Sequence, residues 1–304
     1  MSTAVGMLFP GQGSQFVGMG KDYYDAFPHA RDVYRAANDA LGFDIAALSF
    51  SGDMEELTKT KNAQPAILLH SIAILAVLDA RGVRPAVVAG HSLGEFSALV
   101  AAGFFRPMDA LRIVRRRGEL MYDAGLKRPG TMAAIIGLDE AAVEACVRDA
   151  GGVVVVANYN SPAQFAISGD VDAVERACQV CKARGAKRAL KLPVSGAFHS
   201  PLMEPAVDEF RAFLGGFSAD ELRVPWVANV TGDVVPDRSR VLDLLALQLK
   251  SAVQWTRSMR AFAAAHGGTS YEVGPGAVLA GLMKRIVDGS EVASLSSVAA
   301  LPAL

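Results

Sequence analysis

Short apolar runs alternate with longer amphipathic stretches along the first third of the chain. The runs AVGMLF (4–9) and AVVAG (86–90) have the length and composition of buried strands. Residues 62–81 and 93–102 carry the longer apolar pattern that is typical of helices. Strands and helices in this order build a parallel sheet with helices on both of its faces. The pattern therefore predicts an α/β domain.

The middle of the chain, after LKRPGT (126–131), has a different pattern. Its apolar runs and turn residues predict the order strand, helix, strand, strand, helix, strand. The six predicted elements occupy residues 131–138, 139–149, 153–158, 164–168, 171–184 and 187–192. This β-α-β-β-α-β order is that of a ferredoxin-like unit. A unit of about 70 residues has the size of a small subdomain inserted into a larger one.

The α/β alternation resumes after LPVSGAFHSP (192–201). Helices are predicted near 202–214, 239–250, 256–266 and 277–287, and strands at 224–230 and 270–274. The last residues, 294–304, have the weak pattern of a tail or an edge strand. We therefore expect a discontinuous large subdomain of residues 1–127 and 198–304. Residues 128–197 would form the small subdomain, with a ligand cleft between the two.

The composition indicates a folded protein without a strong overall charge. The 304 residues are 51% hydrophobic and 20% charged, which is enough apolar material for a large core. Thirty Lys and Arg residues against 31 Asp and Glu residues give a net charge of -1. We therefore expect neither nucleic acid nor an anionic membrane as a partner, because no overall field attracts them.

Several features favour the cytoplasm. The N-terminal MSTAVGMLFPGQG lacks the basic and cleavable apolar segments of an export signal. The apolar runs, such as that from Pro65 to Leu78, are expected to be too short or too interrupted to span a bilayer. The cysteines Cys146, Cys178 and Cys181 are too few for a disulfide framework. The last two form a C-x-x-C in a helical segment, which does not favour a redox role.

The strongest candidate for chemistry is the segment Gly90-His91-Ser92-Leu93-Gly94. It fits the Gly-x-Ser-x-Gly pattern between a predicted strand and a predicted helix. In this context the glycines allow a sharp turn, and the serine hydroxyl projects from it as a nucleophile. The alternative is that Ser92 only caps the following helix.

A serine nucleophile needs a base, and the chain contains five histidines. They are His29, His70, His91, His199 and His266. His199 lies in a glycine-containing loop where the chain returns to the large subdomain, so its side chain can reach the cleft. The alternative for His199 is a loop histidine with satisfied hydrogen bonds. No acidic residue is evident as the third member of a catalytic triad. A backbone or amide carbonyl could orient the imidazole instead.

The glycine-rich segment FPGQGSQFVGMG (9–20) follows the first predicted strand. Its glycines do not match the dinucleotide-binding fingerprint. If the first strand lies beside the strand that leads to Ser92, a backbone N–H of this loop could complete an oxyanion hole with the N–H of Leu93.

Three consecutive arginines, residues 115–117, lie on a predicted helix. At about 100° per residue they spread around the helix, so only one or two can face the same way. Either the three arginines form a solvated face of the helix, or one guanidinium enters the cleft and binds a carboxylate.

Taken together, these motifs make the chain similar to the malonyl-CoA:acyl carrier protein transacylases of bacterial fatty-acid synthesis and to the acyltransferase domains of polyketide synthases. The resemblance covers nearly the whole chain. It rests on FPGQGSQ, GHSLGE, RRRGELM, MAAIIGL, NYNSPAQFAISG, PVSGAFHSPLM, QLKSAVQWT and YEVGPGAVLAGL. It implies an α/β-hydrolase-like large subdomain and a ferredoxin-like small one.

The resemblance also implies roles for individual residues. Ser92 matches the acylated nucleophile and His199 its base, while Gln12 and Leu93 match the backbone donors of the oxyanion hole. The main-chain carbonyl of Gln248 would orient His199. The remaining matched positions are Arg117 for the malonyl carboxylate, Asn160 beside the cleft, and Phe198 in the space that an α-methyl group would need.

The implied activity is ping-pong transfer of malonyl from malonyl-CoA to the phosphopantetheine thiol of acyl carrier protein. No metal and no bound cofactor is expected, and the protein would be a monomer. A basic patch for the acidic carrier could draw on Arg115, Arg116, Lys187, Arg188 and Lys191. The alternatives are a free-standing acyltransferase of a polyketide synthase or malonate decarboxylase system, a serine thioesterase or other hydrolase, and a non-catalytic scaffold that binds the carrier.

Overall fold

The computed structural model describes residues 3–302, and their strands form two sheets. The strands of the large sheet are, in order across it, β10 (Val292–Ser294), β9 (Ser270–Glu272), β1 (Thr3–Phe9), β2 (Val83–Gly90), β7 (Trp226–Ala228) and β8 (Asp233–Val234). Only β8 is antiparallel to its neighbour. The helices around this sheet are α1 (Lys21–Ala26), α2 (Pro28–Leu41), α3 (Ile45–Ser51), α4 (Met54–Thr58), α5 (Thr60–Ala80), α6 (Gly94–Ala101), α7 (Pro107–Lys127), α10 (Glu204–Leu214), α11 (Val241–Leu247), α12 (Trp255–Ala265) and α13 (Val278–Ile286).

Helices cover both faces of the large sheet. In β1, Met7 and Phe9 belong to the largest core, which includes α2, α5 and α7, while Leu8 between them packs with Trp255 and Phe262 of α12. Successive side chains of a strand point to opposite faces, so a strand that is covered on both sides is apolar at every position. The predicted α/β architecture with a parallel sheet is thereby confirmed.

The small sheet is antiparallel. Its strands are, in order, β4 (Val154–Ser161), β5 (Gln164–Gly169), β3 (Thr131–Ile136) and β6 (Arg188–Lys191), with helices α8 (Glu140–Ala150) and α9 (Val171–Ala183). Along the chain these elements follow the predicted β-α-β-β-α-β order. Ile135 and Ile167 pack against the helices, whereas Met132 and Ala166 face a cleft toward the large sheet. The exact subdomain boundaries at 127/128 and 197/198 stay a prediction.

Helix α5 corrects one expectation from the sequence. It is a continuous helix of 21 residues with Pro65 inside it, and its length and composition suffice to cross a membrane. The expectation that the apolar runs are too short or too interrupted to span a bilayer was therefore wrong for this helix. The most apolar window of the helix is 78% buried within the protein. A helix that is apolar all round is expected in a protein core, so packing accounts for this composition.

Helices α1 to α4, between residues 21 and 58, were not predicted. Three of them, α1, α3 and α4, have only six, seven and five residues, too few turns for a periodic signal. Helix α2 has 14 residues, and its start at Pro28 and the left-handed Gly42 after its end are helix signals that were overlooked. At the other end of the chain, the edge strand β10 begins two residues before the predicted tail, and a short 3-10 turn follows at Val298–Ala300.

Candidate active site

Ser92 lies in a sharp turn between the end of β2 and the start of α6. Its φ angle is 51°, in the left-handed region that costs a non-glycine residue about 1–3 kcal/mol. Both flanking glycines are sterically required. A Cβ atom on Gly90 would lie 1.9 Å from the backbone of Gly94, and one on Gly94 would lie 2.0 Å from the carbonyl oxygen of Phe9. The turn therefore holds the hydroxyl at the carboxyl end of the parallel strands.

His199 is the histidine that reaches this serine. Its Nε2 atom lies 2.8 Å from Ser92 Oγ. Its Nδ1 atom lies 2.8 Å from the carbonyl oxygen of Gln248 and 3.2 Å from that of Ser251. Because carbonyl oxygens only accept, we assign the proton to Nδ1, which leaves Nε2 free to accept the serine proton. The main-chain orienting group predicted at Gln248 is thus in contact with the imidazole.

Burial holds His199 in its neutral form. The pKa of its imidazole is lowered to about 3, first by desolvation and then by the positive charge of Arg117, against the opposing effect of the Gln248 carbonyl. At neutral pH the side chain is therefore a free base, as general-base chemistry requires.

Arg117 is the one member of the arginine triplet that enters the site. It is 1% exposed, and its Nη1 atom donates to Gln64 Oε1 at 2.7 Å. Its Nη2 atom donates to Gln248 Oε1 at 2.7 Å and to Ser92 Oγ at 3.2 Å. Burial lowers its pKa only to about 10, so it remains a cation at neutral pH. All of its hydrogen-bond acceptors are uncharged, and its buried Nε–H has none among the described residues.

The other two arginines of the triplet form ion pairs outside the cavity. Arg115 binds Glu119 and the backbone carbonyl of Lys61, and Arg116 binds Glu119 and Glu209. These ion pairs reduce the positive charge that Arg115 and Arg116 can contribute to a basic patch. Three further predicted members of that patch are exposed on or beside the edge strand β6, which leads directly to the cleft: Lys187, Arg188 and Lys191.

The predicted oxyanion donors border the same cavity as Ser92. Gln12 and Leu93 both line it, and the backbone N–H of neither is engaged by a backbone acceptor among the described residues. The side-chain amide of Gln12 donates to Thr60 Oγ1 at 3.1 Å, which fixes the loop. The N–H of Ser92 itself is bound by the side chain of Asn229, so it is not free to hold an oxyanion.

The cavity at the serine has a volume of about 260 Å³. The small sheet supplies one wall through Met132 and Ala166, and the buried Phe198 lies beside His199. Small apolar walls around a few convergent polar groups are typical of small-molecule sites. Within residues 3–302, no cluster of three or more His, Cys, Asp or Glu residues is arranged to hold a metal ion.

Asn160 and His91 form a pair at the rim of this cavity. His91 Nε2 lies 2.8 Å from Asn160 Oδ1, and the imidazole packs edge-on against Trp255 with ring centroids 5.1 Å apart. Burial lowers the pKa of His91. A neutral His91 that donates from Nε2 would leave the amide NH2 of Asn160 free to donate into the cavity. His91 is thus hydrogen-bonded to Asn160, whereas the hydrogen bonds of the Ser92 hydroxyl are to His199 and Arg117.

Sequence reasoning missed three buried polar residues around the site: Gln64, Glu95 and Asn229. The signal for Gln64 is a polar residue inside the apolar helix α5, and the signal for Asn229 is an amide directly after strand β7. Glu95 follows the serine turn and is only 1% exposed. Its carboxyl accepts from the backbone N–H of Asn229 at 2.7 Å and from the Gln248 side chain. Burial raises its pKa to about 8, opposed by these donors and by Arg117.

Comparisons with known proteins identify the family of the chain. The family model described as acyl transferase domain matches residues 7–303. A malonyl CoA-acyl carrier protein transacylase of Salmonella typhimurium is 46% identical over 304 residues, which are 99% of this chain and 98% of that protein. The crystal structure of an acyl carrier protein S-malonyltransferase from Vibrio cholerae has a TM-score of 0.92 at 43% identity, covering 99% of this chain and 98% of that one.

A second similar structure contains a carrier protein. It is a malonyl-transacylase in complex with its type II PKS acyl-carrier protein, with a TM-score of 0.93 and 42% identity over 99% of this chain and 97% of that one. Identity at this level over the full length, together with the match to the domain model, establishes the family. The chain belongs to the malonyl-CoA:acyl carrier protein transacylase family of acyl transferases.

Proposed function

We propose that this protein transfers malonyl from malonyl-CoA to the phosphopantetheine thiol of acyl carrier protein, through a malonyl ester of Ser92. The proposal is supported above all by Arg117, a buried cation whose Nη2 atom lies 3.2 Å from the Ser92 hydroxyl oxygen. A guanidinium with only uncharged acceptors favours a substrate that brings its own carboxylate. Malonyl carries a carboxylate two bonds from the carbonyl carbon that Ser92 would attack.

In the first half-reaction, Ser92 Oγ attacks the thioester carbonyl while His199 Nε2 takes the hydroxyl proton. The backbone N–H groups of Gln12 and Leu93 stabilise the oxyanion. When the tetrahedral intermediate collapses, the C–S bond breaks and the coenzyme A sulfur receives the proton from His199. The products are free coenzyme A and malonyl-Ser92.

In the second half-reaction, His199 takes the proton of the phosphopantetheine thiol, and the sulfur attacks the ester carbonyl of malonyl-Ser92. The C–Oγ bond breaks, and His199 returns the proton to Ser92. Ser92 and His199 act as a dyad, because the carbonyl oxygens of Gln248 and Ser251 occupy the position at Nδ1 that a carboxylate takes in a triad. The protein itself needs no bound cofactor for these steps.

The partners proposed here are malonyl-CoA and the pantetheinylated carrier, with exposed Lys187, Arg188 and Lys191 near the cleft as complementary charges for an acidic protein. We further propose a cytoplasmic monomer that supplies extender units for fatty-acid synthesis. The similarity to a transacylase solved with a type II PKS carrier supports one alternative pathway, in which the same chemistry serves a polyketide synthase.

The test is transfer to a carrier, followed by mass spectrometry. Malonyl-CoA and catalytic amounts of the protein are mixed with pantetheinylated carrier or with the apo carrier that lacks the arm. Malonylation of the pantetheinylated carrier alone is the expected result. Release of free malonate in place of malonyl carrier would indicate a hydrolase. Competition between a fatty-acid carrier and a polyketide carrier then separates the two pathways.

A further inference from the structure

Asn229 lies beside the turn that carries the nucleophile. It directly follows β7, whose Val227 pairs in parallel with Ala89 of β2, so it comes level with the residues after the end of β2. Its side chain is completely buried. The residue does not line the cavity, and any effect on the reaction must therefore pass through its neighbours.

All four polar groups of Asn229 are bound to protein. Its Oδ1 atom accepts from the backbone N–H of Ser92 at 2.7 Å, and its Nδ2 atom donates to the carbonyl oxygen of Gly90 at 2.7 Å. Its own N–H donates to Glu95 at 2.7 Å, and its carbonyl accepts from Gln254 at 2.9 Å. The side-chain amide thus joins the backbone on both sides of the turn.

The turn needs such a partner for a physical reason. The positive φ angle of Ser92 is strained and persists only when surrounding contacts hold it. The turn also leaves the buried Gly90 carbonyl and the partly buried Ser92 N–H without partners inside the turn, and both need hydrogen bonds. A primary amide supplies one acceptor and a donor at a fixed spacing, so Asn satisfies both with one side chain.

The same residue is connected to the base. Glu95, which accepts from the Asn229 backbone, also accepts from the side-chain amide of Gln248. The Gln248 carbonyl in turn accepts from His199 Nδ1 at 2.8 Å. A continuous buried chain of hydrogen bonds therefore runs from the backbone of the nucleophile to the ring of its base.

We propose that Asn229 is a positioning residue, which holds Ser92 in its strained conformation and in register with His199. The proposal rests on the proposed function only in naming malonyl-CoA as the acyl donor. Removal of the amide should slow attack by Ser92 and leave malonyl-CoA affinity nearly unchanged, because Asn229 does not line the cavity and makes no hydrogen bond to Arg117. A displacement of about 1 Å at a reacting atom can cost about 100-fold in rate.

The experiment compares Asn229→Ala, Asn229→Asp and the matched control Asn62→Ala with the unmodified protein. Asn62 is also a buried asparagine with side-chain hydrogen bonds, but it lies outside the cavity. Single-turnover acylation by malonyl-CoA gives the rate constant and the half-saturating concentration separately. Labelling of Ser92 by a fluorophosphonate measures the nucleophile without any malonyl group. Circular dichroism and thermal unfolding show the folded fraction.

We expect Asn229→Ala to lower both the acylation and the labelling rate constants about 100-fold, with half-saturation changed by less than about threefold. Asn229→Asp keeps the acceptor for Ser92 but, when ionised, lacks the donor for Gly90. Its rate relative to the unmodified protein should therefore rise as the pH falls and a protonated carboxyl replaces the amide donor. This ratio tests positioning even if the alanine variant does not fold.

Three outcomes would overturn the positioning role. In the first, folded Asn229 variants keep rate constants within about threefold of the unmodified protein. In the second, the variants change only the half-saturating concentration of malonyl-CoA. In the third, Asn62→Ala lowers the rate constants as much as Asn229→Ala does. If the unmodified protein does not react with malonyl-CoA yet Asn229→Ala loses fluorophosphonate labelling, the proposed substrate is wrong and the positioning role stands.

Discussion

The Nη2 atom of Arg117 lies 3.2 Å from the Oγ atom of Ser92, and both belong to the same buried hydrogen-bond network. The side chain that would bind the substrate's carboxylate thus touches the atom that would attack its carbonyl. The short distance between them matches an acyl group whose carboxylate lies two bonds from its carbonyl carbon. The same cation also contributes to the lowered pKa of His199, so selection of the substrate and readiness of the base are linked.

Replacing Arg117 with Ala should reduce malonyl transfer about 100-fold more than acetyl transfer. Malonyl loses a charge-assisted contact, whereas acetyl-CoA no longer leaves a buried guanidinium unpaired. The measurement is kcat/KM for both donors. Arg116→Ala is the matched control, because this neighbouring arginine pairs with Glu119 and Glu209 away from the serine. Equal losses for the two donors in Arg117→Ala would remove its role in selectivity.

Replacing Phe198 with Leu should raise the methylmalonyl-to-malonyl ratio of kcat/KM about tenfold, because the smaller side chain leaves room for one more methyl group. Phe198 lines the cavity beside His199. Phe165→Leu is the control for a lost aromatic ring, since Phe165 packs in the separate core of the small sheet. An unchanged donor ratio in Phe198→Leu would show that this ring does not limit the substrate.

The acylation rate should be nearly independent of pH between 8 and 5. A histidine with an ordinary pKa near 6.5 would lose about 30-fold over this range as its base form disappears. The lowered pKa of His199, about 3, keeps the imidazole neutral throughout. Single-turnover rates measured across this range provide the test, and a fall centred near pH 6.5 would contradict it. In Arg117→Ala the fall of the acylation rate at low pH should move to higher pH, because one cause of the lowered His199 pKa is removed.

Glu95 should make the unmodified protein lose stability as the pH rises. Burial raises the pKa of Glu95 from 4.5 to about 8, so the folded state binds this proton more tightly than the unfolded chain does. The resulting contribution to the free energy of unfolding is complete below pH 4.5 and is lost as the pH rises to 8. Urea unfolding of the unmodified protein and Glu95→Gln at pH 5 and pH 8 measures it. The difference in free energy of unfolding between the unmodified protein and Glu95→Gln should shift against Glu95 between pH 5 and pH 8. A shift in favour of Glu95 would contradict the raised pKa.

The sequence was sufficient for the features that depend on local pattern. The apolar strands, the inserted β-α-β-β-α-β unit and the turn at Ser92 all follow from spacing and glycine placement. The choice of Arg117 over Arg115 and Arg116 came from the family resemblance, because helical periodicity alone leaves the face that points inward open. The adjacent position of His91 in the chain does not reveal its role either, since its imidazole contacts Asn160 and not the serine hydroxyl.

The residues that were missed depend on contacts between distant parts of the chain. Asn229 reaches Ser92 across 137 positions, and Gln248 reaches Glu95 across 153. Nothing in the local pattern around a single asparagine or glutamate shows which backbone group it will satisfy. The burial of Glu95 is equally invisible in the sequence, since a charged residue at the start of a helix usually faces solvent.

The central claim is that Ser92 carries the malonyl group between two thiols. Intact-protein mass spectrometry of the unmodified protein and Ser92→Ala after brief exposure to malonyl-CoA, followed by pantetheinylated carrier protein, tests it most directly. The account predicts a malonyl-sized adduct on the unmodified protein alone, which moves to the carrier when the carrier is added. An adduct on Ser92→Ala, or carrier malonylation at an undiminished rate by that variant, would contradict it.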